Sequence, residues 1–313
     1  MEINKNKDYK PMTFQAWLEM ATPNTWGASI MPVLLGVALA LALNQAFNLV
    51  FFLLLLLCSV LMHCAVNAFN HLFDYLKGTD SKENCLDPHD APMVYHDLDP
   101  RTVFFLALLY LALAFLLSLY LIAQVGYVIL VIGVIGGLVV VLYAGGPLPI
   151  THTPLGELAA GFTMGGLITL AAYYAMTQDL NWLVLFYALP LIITIGCVLL
   201  LNNTCDIEKD ITANRHTLPI IIGRHRATLL LKAGYLLAAA LIVGITVFQF
   251  TAGCWFMLPM LFLCRRKFHA VLTMDFTAAT RMAGMKAVLP LTPLLNAGYV
   301  GSILLSVMIN SLV

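Results

Sequence analysis

Apolar residues repeatedly run for the length of a bilayer crossing along this chain, and polar residues collect almost entirely between the runs. A helix needs about twenty such residues to cross ~30 Å of hydrocarbon. Runs of that kind fall at 24–43, 47–69, 102–123, 126–143, 155–176, 181–201, 228–249 and 287–311. A shorter run at 252–264 is a candidate ninth span, although as helix it rises only about 20 Å. The pattern predicts an all-α, polytopic membrane bundle of about nine transmembrane helices.

Charge placement decides between eight and nine spans, because basic residues stay on the cytoplasmic side of short loops. With nine spans and the N-terminus inside, Lys5, Lys7, Lys10, Lys77, Lys82, Arg101, Lys209, Arg215, Arg224, Arg226, Arg265, Arg266, Lys267, Arg281 and Lys286 all fall inside. Lys232 sits close enough to that face to snorkel back to it. Of the acids, only Asp179 lands outside. Eight spans would turn the Arg265 to Lys286 cluster outward, so nine is kept. Composition agrees with a membrane setting: 61% of residues are hydrophobic, 10% are charged and the mean hydropathy is +0.90. The net charge of zero, with no basic patch interleaved with aromatics, points away from nucleic acid. The seven cysteines show no C-x-x-C spacing, which argues against thiolate metal sites. The chain is expected to form one membrane-embedded domain, 1–313, with two large cytoplasmic cap loops at 74–101 and 206–227. The segment before the first run is read as a short interfacial stretch.

Each cap loop opens on the same polar spacing. The first is Asn70-x3-Asp74 followed by Asp80, and the second is Asn202-x3-Asp206-x3-Asp210. On a helix, residues four apart share a face, so the second set forms one stripe, and the first does so up to a break at Gly78. Facing stripes would put four carboxylates around one polar pocket beside hydrocarbon, a costly arrangement unless the charges are neutralised. Two Mg²⁺ ions would do this, since Mg²⁺ takes oxygen ligands and keeps substrate phosphates in its shell. An anionic substrate follows. The plainer reading makes these acids solvated loop-edge residues paired with Lys77, Lys209 and Arg215. The matched repetition in spans two and six favours the first reading.

These residues resemble the UbiA-type intramembrane aromatic prenyltransferases, and within them the 1,4-dihydroxy-2-naphthoate polyprenyltransferases of menaquinone synthesis. The similarity rests on Asn67-x2-Asn70-x3-Asp74-x3-Gly78-Thr79-Asp80 and on Asn202-Asn203-x2-Asp206-x3-Asp210, continued by Arg215-His216-Thr217-Leu218-Pro219. Tyr143-Ala144-Gly145-Gly146-Pro147 with Leu155-Gly156-Glu157, and Pro23-x-Thr25 with Pro32 and Gly36, extend it along most of the chain. The resemblance implies a helical bundle around a central cavity, in the plasma membrane of a bacterial cell, with the site on the cytoplasmic side. It implies that Asn70, Asp74, Asp80, Asn202, Asp206 and Asp210 hold Mg²⁺ on a polyprenyl diphosphate, the four aspartates being the catalytic acids. Lys77, Lys209 and Arg215 would neutralise diphosphate oxygens, and Tyr143 would line the pocket near the leaving group. An aromatic acceptor, with 1,4-dihydroxy-2-naphthoate ahead of 4-hydroxybenzoate, homogentisate and haem, would attack the allylic cation, with loss of CO2 and pyrophosphate. A cation-coupled transporter is the competing class, and it predicts acids near the bilayer midplane.

Some positions depart from the family pattern or carry a plain structural reading. His71 stands where relatives usually carry an acid, and Asn24 replaces a basic residue usual in the first span. The Asp87 to Asp97 stretch lacks the glycine-rich sequence common there. His63 is read as a core filler and His152 as a loop residue. Glu157 is read as either a helix-start residue favoured by the dipole or a group orienting the acceptor. Gly133, Gly136 and Gly137 are read as sites of close helix packing.

Overall fold

The computed structural model describes residues 8–82, 85 and 90–312. Lys5 and Lys7 of the inside-facing charges, and Asp87, Pro88 and His89 of the first cap loop, lie outside the described residues. The interfacial stretch is helix α1 (Phe14–Ala21), started by Thr13, whose hydroxyl accepts from the Ala16 amide. It buries Ala16, Met20 and Ala21 against Ala65, Ala68 and Leu72. Next come α2 (Gly27–Asn44), α3 (Leu49–Leu76), the short α4 (Pro92–Tyr95), α5 (Pro100–Val125) and α6 (Tyr127–Ala144). The fifth crossing is composite: α7 (Gly156–Ala160), a π-helical turn over Gly161–Leu167, and α8 (Ile168–Thr177). The chain continues as α9 (Leu183–Cys205), the short α10 (Ile207–Thr212) and α11 (Leu218–Ile222), then α12 (Arg224–Gln249), α13 (Cys254–Thr273) and α14 (Arg281–Asn310). Among the described residues the only extended pairing is an isolated bridge between Lys10 and Leu98.

Among the described residues, eight helices are long and apolar enough to cross a membrane: α2, α3, α5, α6, the composite fifth, α9, α12 and the one ending at Asn310. The run expected to be a ninth span lies in α13, which is not one of these eight; the helix is 20 residues long, about 30 Å of rise, and packs along α14. Its apolar run stops at Cys264, but the helix continues through Arg265, Arg266 and Lys267 to Thr273. Arg and Lys are good helix formers, so the charges end the hydropathy signal without ending the helix.

Short connections gather at one end of the bundle. There the Tyr173 hydroxyl donates to Asn44 at 2.7 Å and the Tyr174 hydroxyl to the Val125 carbonyl at 2.9 Å. The long loops gather at the other end. One apolar core unites α2, α8, α9, α12, α13 and α14, and a second unites α1, α3 and α5. Between them lies a cavity of about 650 Å³, lined from Asn202 and Tyr143 at the loop end to Leu121 and Ile129 near the short connections.

The π-helical turn borders this cavity through Thr163, Met164 and Leu167. Its other side presses on α9: a Cβ at Gly161 would stand 2.4 Å from the Ile192 carbonyl oxygen, and one at Gly165 2.6 Å from the Ile192 amide. Such π-turns recur at functional sites. On α6, Gly136 does meet a neighbour, Met62, but a Cβ at Gly133 or Gly137 would meet nothing within 4 Å. Close helix packing therefore does not account for Gly133 and Gly137. They are part of the cavity wall.

Candidate active site

The first signature forms at the end of α3. Asp74 is in the last helical turn, and Gly78, at φ +71°, turns the chain back in a conformation that suits glycine. The Thr79 and Asp80 amides then donate to the Asp74 carbonyl at 2.9 and 3.2 Å. Asp74 and Asp80 are thereby fixed side by side, and each is 8% exposed.

The second signature differs from the single stripe expected of it. Helix α9 stops at Cys205, and Asp206 leaves helical geometry (φ −99°, ψ 16°) before α10 resumes. The i to i+4 bonds survive, with Asp206 N to Asn202 O at 2.9 Å and Asp210 N to Asp206 O at 2.8 Å. The bend sends the two carboxylates to different cations. Arg215, returned by a turn in which its amide bonds the Asp210 carbonyl at 2.9 Å, bridges Asp74 of the first signature and Asp210 of the second. Lys209 binds Asp80 at 3.0 Å and lies 3.0 Å from the Cys85 thiol. Asp206 pairs at 3.0 Å with Arg281, which also binds Asp90 of the first cap loop. Each motif aspartate thus has a cationic partner, and all three cations tie one cap loop to the other.

The plain reading of acids paired with Lys77, Lys209 and Arg215 is therefore half realised. Lys209 and Arg215 are so engaged, but Lys77 donates to the Ala144 carbonyl at 3.2 Å and sits 3.4 Å from His152 Nε2. Among the described residues, no three acidic, histidine or cysteine side chains converge closely enough to form a metal site by themselves. The oxygen set nonetheless suits a hard divalent ion. Among the described residues, the Asn70 and Asn202 carboxamide oxygens are buried without a hydrogen-bond partner, which is costly unless something occupies them. Burial raises Asp206 above the usual carboxylate range and pushes Asp210 up to about 6, with Asp206 contributing to the latter. Charge neutralisation would relieve both.

The flanking cations are tuned as well. Burial works against the charge of Lys209, but Asp80 and Cys85 outweigh it and hold the ammonium above its ordinary range. Burial and the nearby Arg215 lower Lys77. Burial, Lys77 and Arg215 bring His152 down to about 4, so its ring is a neutral acceptor for the lysine. The loop position of His152 therefore belongs to the site. Tyr143 lines the cavity mouth beside Asn202. Glu157 is not a side-chain cap: one carboxylate oxygen accepts from Asn203 Nδ2 at 2.8 Å, and the other is buried without a partner among the described residues.

Sequence reasoning missed Arg281, which it counted only as an inside-facing charge, together with Asp90 and Cys85. No local spacing marks Arg281. Its partners are supplied by loops remote in sequence, Asp90 being 191 positions away. His71 lies within electrostatic range of Asp80, Asp90 and Lys209. Were the site to hold Mg²⁺, His71→Asp should lower the half-saturating Mg²⁺ concentration severalfold; an unchanged value would place residue 71 outside the ion's reach.

An all-helical membrane bundle with an acid-and-cation mouth over an apolar cavity is the build of an enzyme that handles a charged head and an apolar tail. A model of the UbiA prenyltransferase family matches residues 29–285, and the chain belongs to that family. It is a prenyltransferase and an integral membrane protein. It is 34% identical over 229 residues to the 1,4-dihydroxy-2-naphthoate octaprenyltransferase of Bacillus subtilis (strain 168), covering 73% of each chain. It is 33% identical over 260 residues to the UbiA prenyltransferase domain-containing protein 1 homolog of Drosophila melanogaster, covering 80% of this chain and 68% of that one. The fold is similar to a UbiA homolog from Archaeoglobus fulgidus bound to GPP and Mg²⁺ (TM-score 0.65, 15% identity, 92% of this chain and 99% of that one). It is also similar to a structure of digeranylgeranylglyceryl phosphate synthase (TM-score 0.61, 18% identity, 93% and 98%).

Proposed function

We propose that this protein transfers a polyprenyl group from a polyprenyl diphosphate to 1,4-dihydroxy-2-naphthoate, releasing pyrophosphate and CO2. In this reading residues 1–313 form one membrane-embedded domain in a bacterial plasma membrane, with both cap loops and the site facing the cytoplasm. The observation that carries the reading is the junction of a mouth rich in paired acids and cations with a cavity of about 650 Å³ whose wall, among the described residues, carries no Asp, Glu, Lys or Arg. The naphthoate acceptor is supported by the similarity to the Bacillus subtilis enzyme.

Asn70, Asp74, Asp80, Asn202, Asp206 and Asp210 would hold Mg²⁺, which when bound supplies positive charge to the departing pyrophosphate. Lys209 and Arg215 would turn from their carboxylates to diphosphate oxygens once the acids are otherwise neutralised, and Lys77 lies close by to join them. Such preorganised positive charge acts where leaving-group charge develops. The tail would lie in the cavity below Tyr143, whose ring face shields the allylic cation. Lipid is about as apolar as the cavity wall, so the tail gains little by entering, and donor affinity resides at the diphosphate end. A transporter reading fares worse, since the acids cluster at one end of the bundle rather than along the cavity.

The test incubates membranes containing the protein with Mg²⁺, a labelled polyprenyl diphosphate and a panel of aromatic acids, then weighs the products. Prenylated, decarboxylated naphthoate is expected; no Mg²⁺-dependent pyrophosphate release with any acceptor would refute the reading. Asp74→Asn and Asp206→Asn should each abolish release while the protein still inserts in the membrane.

A further inference from the structure

Helix α13 carries three consecutive cations, Arg265, Arg266 and Lys267, and none of them forms an ion pair with a described residue. Antiparallel packing on α14 fixes their height. A Cβ at Gly301 would meet the Phe256 ring and one at Gly298 the Met260 side chain, a register that sets the triad level with Leu291 to Pro293. In agreement, the Phe268 ring, next after the triad, meets the Tyr235 ring of α12, and the Tyr235 hydroxyl lies 2.6 Å from Thr292 Oγ1.

Tyr235 and Thr292 stand about 17 Å along α12 and α14 from the loop-end starts at Arg224 and Arg281. Both helices are long and apolar enough to cross a membrane. With its 26 residues, α12 rises about 39 Å, about 9 Å more than the hydrocarbon is thick. Even with that whole excess at the loop end, the triad lies about 8 Å or more inside the hydrocarbon. Arg265 and Arg266 are nevertheless exposed. Arg265 does not snorkel back toward the loops: its guanidinium lies 3.6 Å from the Phe262 ring centroid and donates to the Phe262 carbonyl at 2.8 Å, turned toward the apolar half of α13.

Unneutralised cations at this depth are costly, and the chain offers them no anion. Helices α12, α13 and α14 contain no Asp or Glu. A second copy could not supply one at this height either, because the acids within its spans, Asp74 and Glu157, are buried. Leu258, Phe262, Arg265 and Arg266 recur at helical spacing and form one stripe, whose Leu258 and Phe262 are exposed. We propose that this face of α13 binds an anionic phospholipid, with the headgroup phosphate on Arg265, Arg266 and Lys267 and an acyl chain along Phe262 and Leu258. Arginine suits a phosphate through paired, charge-assisted hydrogen bonds. A lipid held there braces α13 against α14, whose Thr292 and Pro293 line the cavity.

The experiment adds equal phosphatidylglycerol and phosphatidylcholine, with matched chains, to the full chain in neutral detergent. Retained lipid is counted by native mass spectrometry, and the melting temperature is read with each lipid alone. Wild type should keep phosphatidylglycerol about tenfold over phosphatidylcholine and melt higher with it. The combined change R265Q/R266Q/K267Q should abolish both effects, whereas Arg226→Gln, at the loop-end start of α12, should keep both. Arg265→Gln alone should reduce the preference about threefold, which tests the site should the triple variant not fold. Equal retention of the two lipids by wild type would overturn the inference, as would a triple variant that keeps the preference or an Arg226→Gln loss as large as the triple's. Displacement of the lipid by an equal concentration of inorganic phosphate would make the triad a free-anion site, and displacement by geranyl diphosphate would assign it to the prenyl donor; either would overturn it too.

Discussion

Replacing Arg215 with Met is expected to cost both activity and stability, and a second substitution should separate the two losses. Arg215 lies between Asp74 and Asp210, with its side chain 11% exposed and theirs 12% and 3%. Removing one partner of a buried ion pair leaves uncompensated charge, typically costing about 3–5 kcal/mol. Here two carboxylates from different cap loops would lose the same cation. Asp210 already titrates as high as about 6, because burial outweighs the lowering by Arg215; without the arginine it rises further. An aspartate raised above its unfolded value of about 4 binds more protons folded than unfolded, so its contribution is fullest below that value and is lost as pH rises through the folded pKa. The stability deficit of Arg215→Met should therefore be smallest near pH 4 and grow as pH passes 6, read as the difference in melting temperature from wild type in detergent. Arg215→Met combined with Asp210→Asn should recover much of the stability. It should recover none of the activity, since the double variant lacks a proposed Mg²⁺ ligand as well as a charge-stabilising donor, and loss of one such donor costs roughly 10²–10³ in rate. A double variant that regains pyrophosphate release would show that the guanidinium only holds the loops together.

The bundle of long apolar helices and the pairing of the two loops were legible because both depend on short-range pattern. Twenty apolar residues can cross a bilayer whatever they pack against. Asn70 and Asp74 lie on helix, and the break at Gly78 is where a glycine marks it. The bend at Asp206 was not legible, because Thr204, Cys205 and Ile207 contain no breaker and the i to i+4 bonds persist across it. Arg281 was invisible as a site residue for a different reason. Its role is set by Asp90 and Asp206, which only the tertiary fold brings to the start of α14. His63 looked like filler because sequence cannot tell a histidine sealed in a core from one on a cavity wall, where it stands. The α6 glycines posed the same ambiguity, since an absent side chain permits either contact or empty space.

That last ambiguity yields the second large effect, a contrast between two glycines in crossings that flank one cavity. A Cβ at Gly165 would stand 2.6 Å from the Ile192 amide and 2.8 Å from its Cα, and backbone cannot move aside as a flexible side chain can. Gly165→Leu should separate the π-turn from α9, whose far end carries Asn202 and leads into Asp206 and Asp210. Overpacking of this kind typically costs about 1–3 kcal/mol and sometimes more. The variant should melt well below wild type and lose turnover with every donor. Gly137→Leu meets open space instead, and exchanging glycine for a good helix former within α6 favours the helix by roughly 1 kcal/mol. Its melting temperature should equal or exceed that of wild type. Its side chain, however, projects into the volume assigned to the tail, so long polyprenyl diphosphates should lose turnover at least about tenfold while the shortest allylic diphosphates lose little. Because the diphosphate end is untouched, Mg²⁺ dependence should be unchanged. Equal loss across donor lengths in Gly137→Leu would mean that the tail follows another path past α6, and a stable, active Gly165→Leu would mean that the π-turn can part from α9 without disturbing the site.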